Sequence, residues 1–380
     1  MMQVCLPCPV VGTGLRNLPI NAAYDSAWIS PRNTRRAYCM VDVTDMRVVH
    51  LSCQDLPIID GECRVSAEIE RIDRRTAKAW AKDISVDEYL WRERVLKSRP
   101  FSRGLTIHAL IDHDVDAGGA GSADSGTILA SCESFRVPVR VPGRTELSFG
   151  LGIASVYVDE EQRGHGYAAE LLGRLHRQFV EQGAALCYLM SEIGPTLYAR
   201  LGYVTVPLQL RRYPASSQPQ SPRVQWLREA DLPMATSLFQ PPLSDQVSIP
   251  ATVEQLDWQL ARGRFYAKLT GQPFPDEIGA RSGNAVAIWE PDYRPDVRRL
   301  RVLIFSAPGP GTGGQEVLAA ATTMAHQLAL PTVEIWESDA LAPLLTGGTI
   351  QPSDDIPMVL PLAADVRAQD FLDCQRFHWL

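Results

Sequence analysis

The hydrophobic pattern changes period several times along the chain, and each change predicts an element. Residues 65–83 read as a helix, and a second helix opens at Ser85, where Glu88 three residues on completes a capping-box pattern. Strands are predicted at 105–112 and 127–135, joined by a hairpin loop rich in Gly, Ala and Ser at 117–126. A strand at 149–158 follows. Next comes a helix whose Ala168, Leu171, Leu172, Leu175 and Phe179 share one face, then a strand at 186–190, a short helix and a strand at 203–211. Residues 214–223, rich in Pro, Ser and Gln, read as a linker. Beyond it the pattern predicts helices at 229–239 and 252–262, strands at 285–290 and 300–305, a glycine-rich loop, a helix at 316–328 and a strand at 332–336. Residues 1–60 hold no sustained period and read as partly disordered or as an edge addition.

The organisation predicted is therefore an N-terminal extension at 1–60, a first domain at 61–213, the linker 214–223 and a C-terminal α/β domain at 224–380. The fold class is α/β (α+β), with a mixed central sheet.

The stretch from Ala154 to Phe179 carries the strongest chemical signal, a strand running through a glycine turn into an amphipathic helix. Gly164 and Gly166 allow a tight turn and close approach of a ligand. The helix opening near Tyr167 aims unpaired N–H groups back at that turn, where anions bind. A second short segment follows the strand at 186–190. Pro195 suits a first helical turn, Gly202 suits the left-handed position after the helix, and Tyr198 lies about a quarter turn from the Leu197/Leu201 face.

The run Glu161, Gln162, Arg163, Gly164, His165, Gly166, Tyr167, Ala168 resembles the acyl-CoA signature of the GNAT superfamily of N-acetyltransferases, with Glu161 in the place of the family's Gln or Arg. The segment from Ser191 to Tyr203 resembles that superfamily's second signature, a tyrosine-bearing helix closing on Leu-Gly-aromatic. Further stretches are similar to the fungal lysine N-acetyltransferases: Lys78-Ala-Trp80, Ser85 to Glu93, Ile128 to Glu133, Gly152 to Val156 and Ser191 to Pro195. This resemblance implies a GNAT fold and acetyl-CoA as co-substrate. It also implies direct attack by an amine in a ternary complex, with the side-chain amine of free L-lysine as acceptor.

On that reading the pantetheine arm pairs with backbone at Val156, Tyr157 and Val158, and the pyrophosphate meets Arg163, Gly164, His165, Gly166, Tyr167 and Ala168. Tyr198 is the candidate general acid, because a phenol with an ordinary pKa near 10 can protonate a leaving thiolate. An alkylammonium with a pKa of about 10.4 must lose a proton, and Glu133 and Glu192 are candidate bases; each reads equally as a capping or solvated acid. His108 reads as a core histidine. Arg136 and Arg140 are candidates for holding an amino-acid carboxylate. Rival acceptors are a polyamine, another amino acid, a toxic amine or a protein lysine. An acidic, enclosed pocket would favour a polyamine, and an arginine facing the amine channel an amino acid. A non-catalytic acyl-CoA-binding scaffold is the remaining alternative.

Composition narrows the classes. The 380 residues are 45% hydrophobic and 21% charged, with a net charge of -7 and no long basic run, which argues against nucleic acid and an anionic membrane surface as partners. No apolar run reaches the roughly 18 residues needed to span a bilayer, and no signal-peptide pattern opens the chain, so a cytoplasmic enzyme acting on a small-molecule amine is expected. The oligomeric state is left open. The C-terminal His378-Trp379-Leu380 is not a Ser-Lys-Leu address. Eight cysteines form no disulfide framework, and Cys5 and Cys8 lack the partners of a zinc site, so no metal is expected. The loop from Gly309 to Gly314 matches a dinucleotide fingerprint literally. Pro310 has no amide to donate, however, and a degenerate echo of the first domain's strand, loop and helix is the preferred reading.

Overall fold

Two seven-stranded sheets built by the same local grammar organise the described residues, and the first takes one strand from the far C-terminal part of the chain. The computed structural model describes residues 46–112, 126–239, 245–294, 297–308, 311, 313–338, 341–371 and 374–380. Cys5 and Cys8, and parts of the loops 117–126 and 309–314, lie outside the described residues.

The first half opens with strand β1 (Met46–Ser52), which pairs along its length with β4, so part of the segment expected as an extension is an edge strand of the sheet. A small hairpin, β2 (Ile58–Ile59) and β3 (Glu62–Cys63), turns through Asp60 and Gly61, both at positive φ. Helix α1 (Ala67–Trp80) starts where the Ser66 hydroxyl accepts from the Ile69 N–H, and α2 (Val86–Lys97) starts at a complete Ser85–Glu88 capping box. Then come β4 (Leu105–Asp112), β5 (Thr127–Val139), β6 (Ser148–Tyr157), α3 (Tyr167–Glu181), β7 (Leu186–Ser191), α4 (Thr196–Arg200) and the short β8 (Val204–Thr205).

The second half comprises β9 (Gln209–Pro214), β10 (Gln225–Leu227), α5 (Leu232–Leu238), α6 (Val253–Leu269), β11 (Gly279–Ser282), β12 (Ala285–Arg294), β13 (Val297–Ser306), α7 (Gly313–Gln327), β14 (Thr332–Glu337), β15 (Thr349–Pro352) and β16 (Ile356–Pro361). The strand expected over 203–211 breaks in two: β8 stays with the first sheet, while β9 pairs antiparallel with β14 in the second. In return β16 pairs antiparallel with β7, Ile356 opposite Ser191 through Pro361 opposite Leu186. The sheet orders are β1-β4-β5-β6-β7-β16-β8 and β10-β11-β12-β13-β14-β9-β15.

The parallel pair β6/β7, bridged by α3, recurs as β13/β14 bridged by α7, so the second unit repeats the strand, helix, strand crossover of the first. Among the described residues there is no wound parallel sheet of the dinucleotide-binding kind. A Cβ at Gly313 would strike the Ser282 carbonyl at 2.8 Å and one at Gly314 would meet Ala307 at 3.0 Å, so these glycines let α7 pack on its sheet.

The α3 stripe predicted from its spacing is buried: Leu171, Leu172, Leu175 and Phe179 pack on Leu151, Ile153 and Leu189. Each fully buried leucine contributes about 1.5–3 kcal/mol, which anchors the turn preceding the helix. No helix among the described residues is long and apolar enough to cross a membrane.

Candidate functional site

The site begins where two parallel strands part. β6 and β7 pair only over Leu151–Ile153 and Cys187–Leu189, although β6 runs on to Tyr157 and β7 to Ser191. Beyond Ile153 β6 makes no pairing with β7, so its backbone there, at Val156 among others, can pair with an amide-bearing ligand laid in the gap.

A bulge accompanies the splay. In the β5/β6 pairing, Ser131 opposes Tyr157 and Glu133 opposes Ala154, so β6 carries one residue more than β5 between those points. Ser155 lies in this bulge at φ 52°, a left-handed conformation that a non-glycine residue seldom adopts. Its hydroxyl donates to Glu133 Oε2 at 2.7 Å.

At the end of β6, Asp159 receives the Arg75 Nε and Lys78 Nζ hydrogen bonds, each 2.8 Å, which tie the following turn to α1. Gly164 and Gly166 both have φ 85°, with open space where a Cβ would stand. Gly166 caps α3 without a side chain, so the first N–H groups of the helix, around Tyr167 and Ala168, stay available to a phosphate. Arg163 and His165 are exposed on the turn. Arg163 Nε donates to the Val158 carbonyl at 3.2 Å, and the His165 ring stacks on Tyr167.

Behind the splay lies a cavity of about 240 Å³. Glu133, Glu192 and Tyr198 all line it, so the three residues read as chemical candidates from sequence are brought together. Tyr198, on α4, is 6% exposed and its hydroxyl makes no hydrogen bond among the described residues. Burial pushes its pKa up to about 12, with smaller contributions from Cys132 and Glu192, so the phenol keeps its proton at neutral pH. Burial likewise raises Glu133, against the pull of Lys97. Glu192 is exposed at the cavity rim. Arg136 and Arg140 are not brought to the cavity: Arg136 is an exposed residue stacked on Phe149, and Arg140 pairs through its backbone with Ser248. His108 is buried between His50 and Ser134.

Against known proteins, residues 112–206 match the model of the Acetyltransferase (GNAT) domain and residues 209–351 that of the LYC1 GNAT-like C-terminal domain. The chain carries a GNAT acetyltransferase domain followed by a GNAT-like C-terminal domain. A curated relative, "Lysine acetyltransferase" of Yarrowia lipolytica, is 22% identical over 291 residues, spanning 59% of this chain and 69% of that one. Two solved structures share the fold. A "Probable N-Acyltransferase" of Enterococcus faecalis has TM-score 0.56 and 12% identity, over 83% of this chain and 72% of that one. A GCN5-related N-acetyltransferase of Anabaena variabilis has TM-score 0.55 and 15% identity, over 83% and 73%. This protein is accordingly an N-acetyltransferase, and the donor of GNAT enzymes is acetyl-CoA.

What sequence reasoning missed in this acetyltransferase is the polar layer under Glu133. Asp73 of α1 and Glu93 and Lys97 of α2 are buried, with Lys97 Nζ 3.0 Å from an oxygen of each acid and 3.6 Å from Glu133. Arg92 donates to Glu93 and to the Tyr266 hydroxyl. Asp73, Glu93 and Glu133 could jointly hold a cation, but the Lys97 ammonium already sits among them. Burial pushes Asp73 up to about 7, while Lys97 and Arg92 draw Glu93 down to about 2 despite its burial. The only sequence signal was the i, i+4 pair Glu93/Lys97, which elsewhere marks a solvated helix face.

Lys97→Met should lower unfolding free energy at pH 7 by about 3–5 kcal/mol, since it leaves buried Asp73 and Glu133 without their cation and Glu93 with Arg92 alone. Asp73 and Glu133, already held above their unfolded values by burial, rise further without that cation. Stability is then retained at low pH and lost as pH rises, so the deficit against wild type should grow from pH 5 to pH 8. Urea unfolding at the two pH values checks this, and a deficit that shrinks with pH would refute it.

Proposed function

We propose that this acetyltransferase transfers acetyl from acetyl-CoA to the side-chain amine of free L-lysine, by direct attack in a ternary complex. The observation that carries the reading is the convergence of Glu133 and Tyr198 on one cavity at the splay, where the thioester would lie with its pantetheine arm along Val156, Tyr157 and Val158 and its pyrophosphate over the turn from Arg163 to Ala168. The name of the Yarrowia lipolytica relative supports lysine as acceptor.

In this mechanism Glu133, with Glu192 at the rim as the alternative base, takes a proton from the acceptor ammonium, directly or through water. The amine nitrogen bonds to the thioester carbon, the carbon–sulfur bond breaks, and Tyr198 protonates the departing thiolate. Each pKa direction suits its role: an acid held above the ordinary phenol range stays protonated, and a carboxylate held above its ordinary range is a stronger base. The cavity, at about 240 Å³ somewhat below the roughly 300–1,000 Å³ usual for ligand sites, suits a small acceptor better than a folded protein.

Coenzyme A release from acetyl-CoA across L-lysine, other amino acids, polyamines and a lysine peptide tests the reading. Turnover highest on L-lysine is expected. Turnover confined to another amine would refute the lysine assignment, and none on any amine would favour a coenzyme-binding scaffold.

A further inference from the structure

We propose that Arg262, a residue of the second half of the chain, binds the carboxylate of the acceptor, making the cavity selective for amino acids over diamines. The inference rests on the reading of the cavity as the acceptor site.

Three arginines line the cavity: Arg92, Arg262 and Arg294. Arg92 is paired with Glu93, and Arg294 with both oxygens of Asp292. Arg262, on α6, is 5% exposed and makes no ion pair or hydrogen bond among the described residues, and its Nη1 is fully buried without a partner. The neighbouring acid Glu290 is engaged by Arg301 through one oxygen; its other oxygen is buried without a hydrogen-bond partner, and Arg262 acts on it through space without forming an ion pair.

Burial and the nearby Arg301, Arg294 and Arg92 all press against the charge on Arg262, with Tyr266 offsetting them in part. Buried guanidinium groups are found paired, so an unpaired one on a residue that lines a cavity is a candidate partner for an anionic ligand. The group is also held in place: Arg262 lies 4.1 Å from the Trp379 ring centroid and shares a helix face with Tyr266 one turn on. A second orphan donor of the same wall, the Trp258 Nε1–H, is buried without an acceptor and also lines the cavity.

The wall has polarity. Glu133 contacts Lys97, Lys97 bonds Glu93, Glu93 bonds Arg92, and Arg92 bonds Tyr266 beside Arg262. A ligand with an amine at one end and a carboxylate at the other matches acids at the splay and a free guanidinium on α6. A diamine matches only the first.

The test compares L-lysine with cadaverine, its decarboxylated counterpart, on wild type, Arg262→Met and Arg262→Lys. In Arg262→Met the ratio of kcat/KM for L-lysine to that for cadaverine should fall roughly 10- to 100-fold, the range of a lost charge-assisted bond, and Arg262→Lys should recover part of it. Equal losses on both amines would mean a structural role and overturn the proposal, as would an unchanged ratio. If wild type turns over neither amine, the functional reading has failed; calorimetric titration of both amines in the presence of coenzyme A then decides separately, a loss confined to L-lysine supporting the subsite and any other pattern overturning it.

Discussion

Replacing Tyr198 by phenylalanine is expected to lower kcat by about 10²- to 10³-fold while leaving the KM for acetyl-CoA within a few-fold of wild type. The substitution keeps the ring that packs edge-on against Tyr203, 5.9 Å between centroids, and removes only a hydroxyl that has no hydrogen-bond partner among the described residues. Folding stability should therefore change little. What disappears is the group that the proposed mechanism uses to protonate the thiolate. Steady-state kinetics with L-lysine, together with a thermal unfolding midpoint, separates the cases: a rise in the KM for acetyl-CoA at intact kcat would mean that Tyr198 is a wall of the coenzyme site and not its acid.

Glu133→Gln should cost about 10²-fold in kcat/KM for the amine at pH 7 and change the pH profile as well. The amide is isosteric and still accepts from Ser155, but it cannot take a proton. Burial holds Glu133 above the ordinary carboxylate range, so wild-type activity should be lost as pH falls through that raised value and be present above it. In the variant that limb should vanish, leaving a steady climb toward the amine's own pKa near 10.4, where the acceptor is already deprotonated. A variant profile of wild-type shape, merely scaled down, would move the base to Glu192 or to water. The two variants act on opposite protons, so their effects on kcat should not multiply fully if both protons move in one transition state.

Local signals in the chain were read well because they are local. The Ser85–Glu88 box, the apolar stripe of α3 and the left-handed Gly202 after α4 depend on neighbours a few residues away, and the structure reproduces each. Tyr198 was legible for the same reason, since a short helix between Pro195 and Gly202 fixes which way its ring points.

The misread parts of the chain depend on distant partners. The strand expected over 203–211 gave no hint of breaking, because β9 pairs with β14 more than a hundred residues later, and an edge exchange leaves no trace in local periodicity. Arginine posed the same difficulty at the site. Arg136 follows the Glu133 strand in sequence yet stacks on Phe149, whereas Arg262 reaches the cavity from another domain-sized segment.

By itself the sequence determined the α/β class, the glycine turn before α3, the acetyltransferase family resemblance and the place of Tyr198 on a short helix, all carried by contiguous motifs. Only the tertiary structure decided the reciprocal exchange of β9 and β16, the burial of Lys97 among Asp73, Glu93 and Glu133, and the pairing that leaves Arg262 alone of three cavity arginines without an acid. The reason is physical: charge pairing and desolvation are set by which surfaces meet, and in this chain the meeting surfaces lie far apart in sequence.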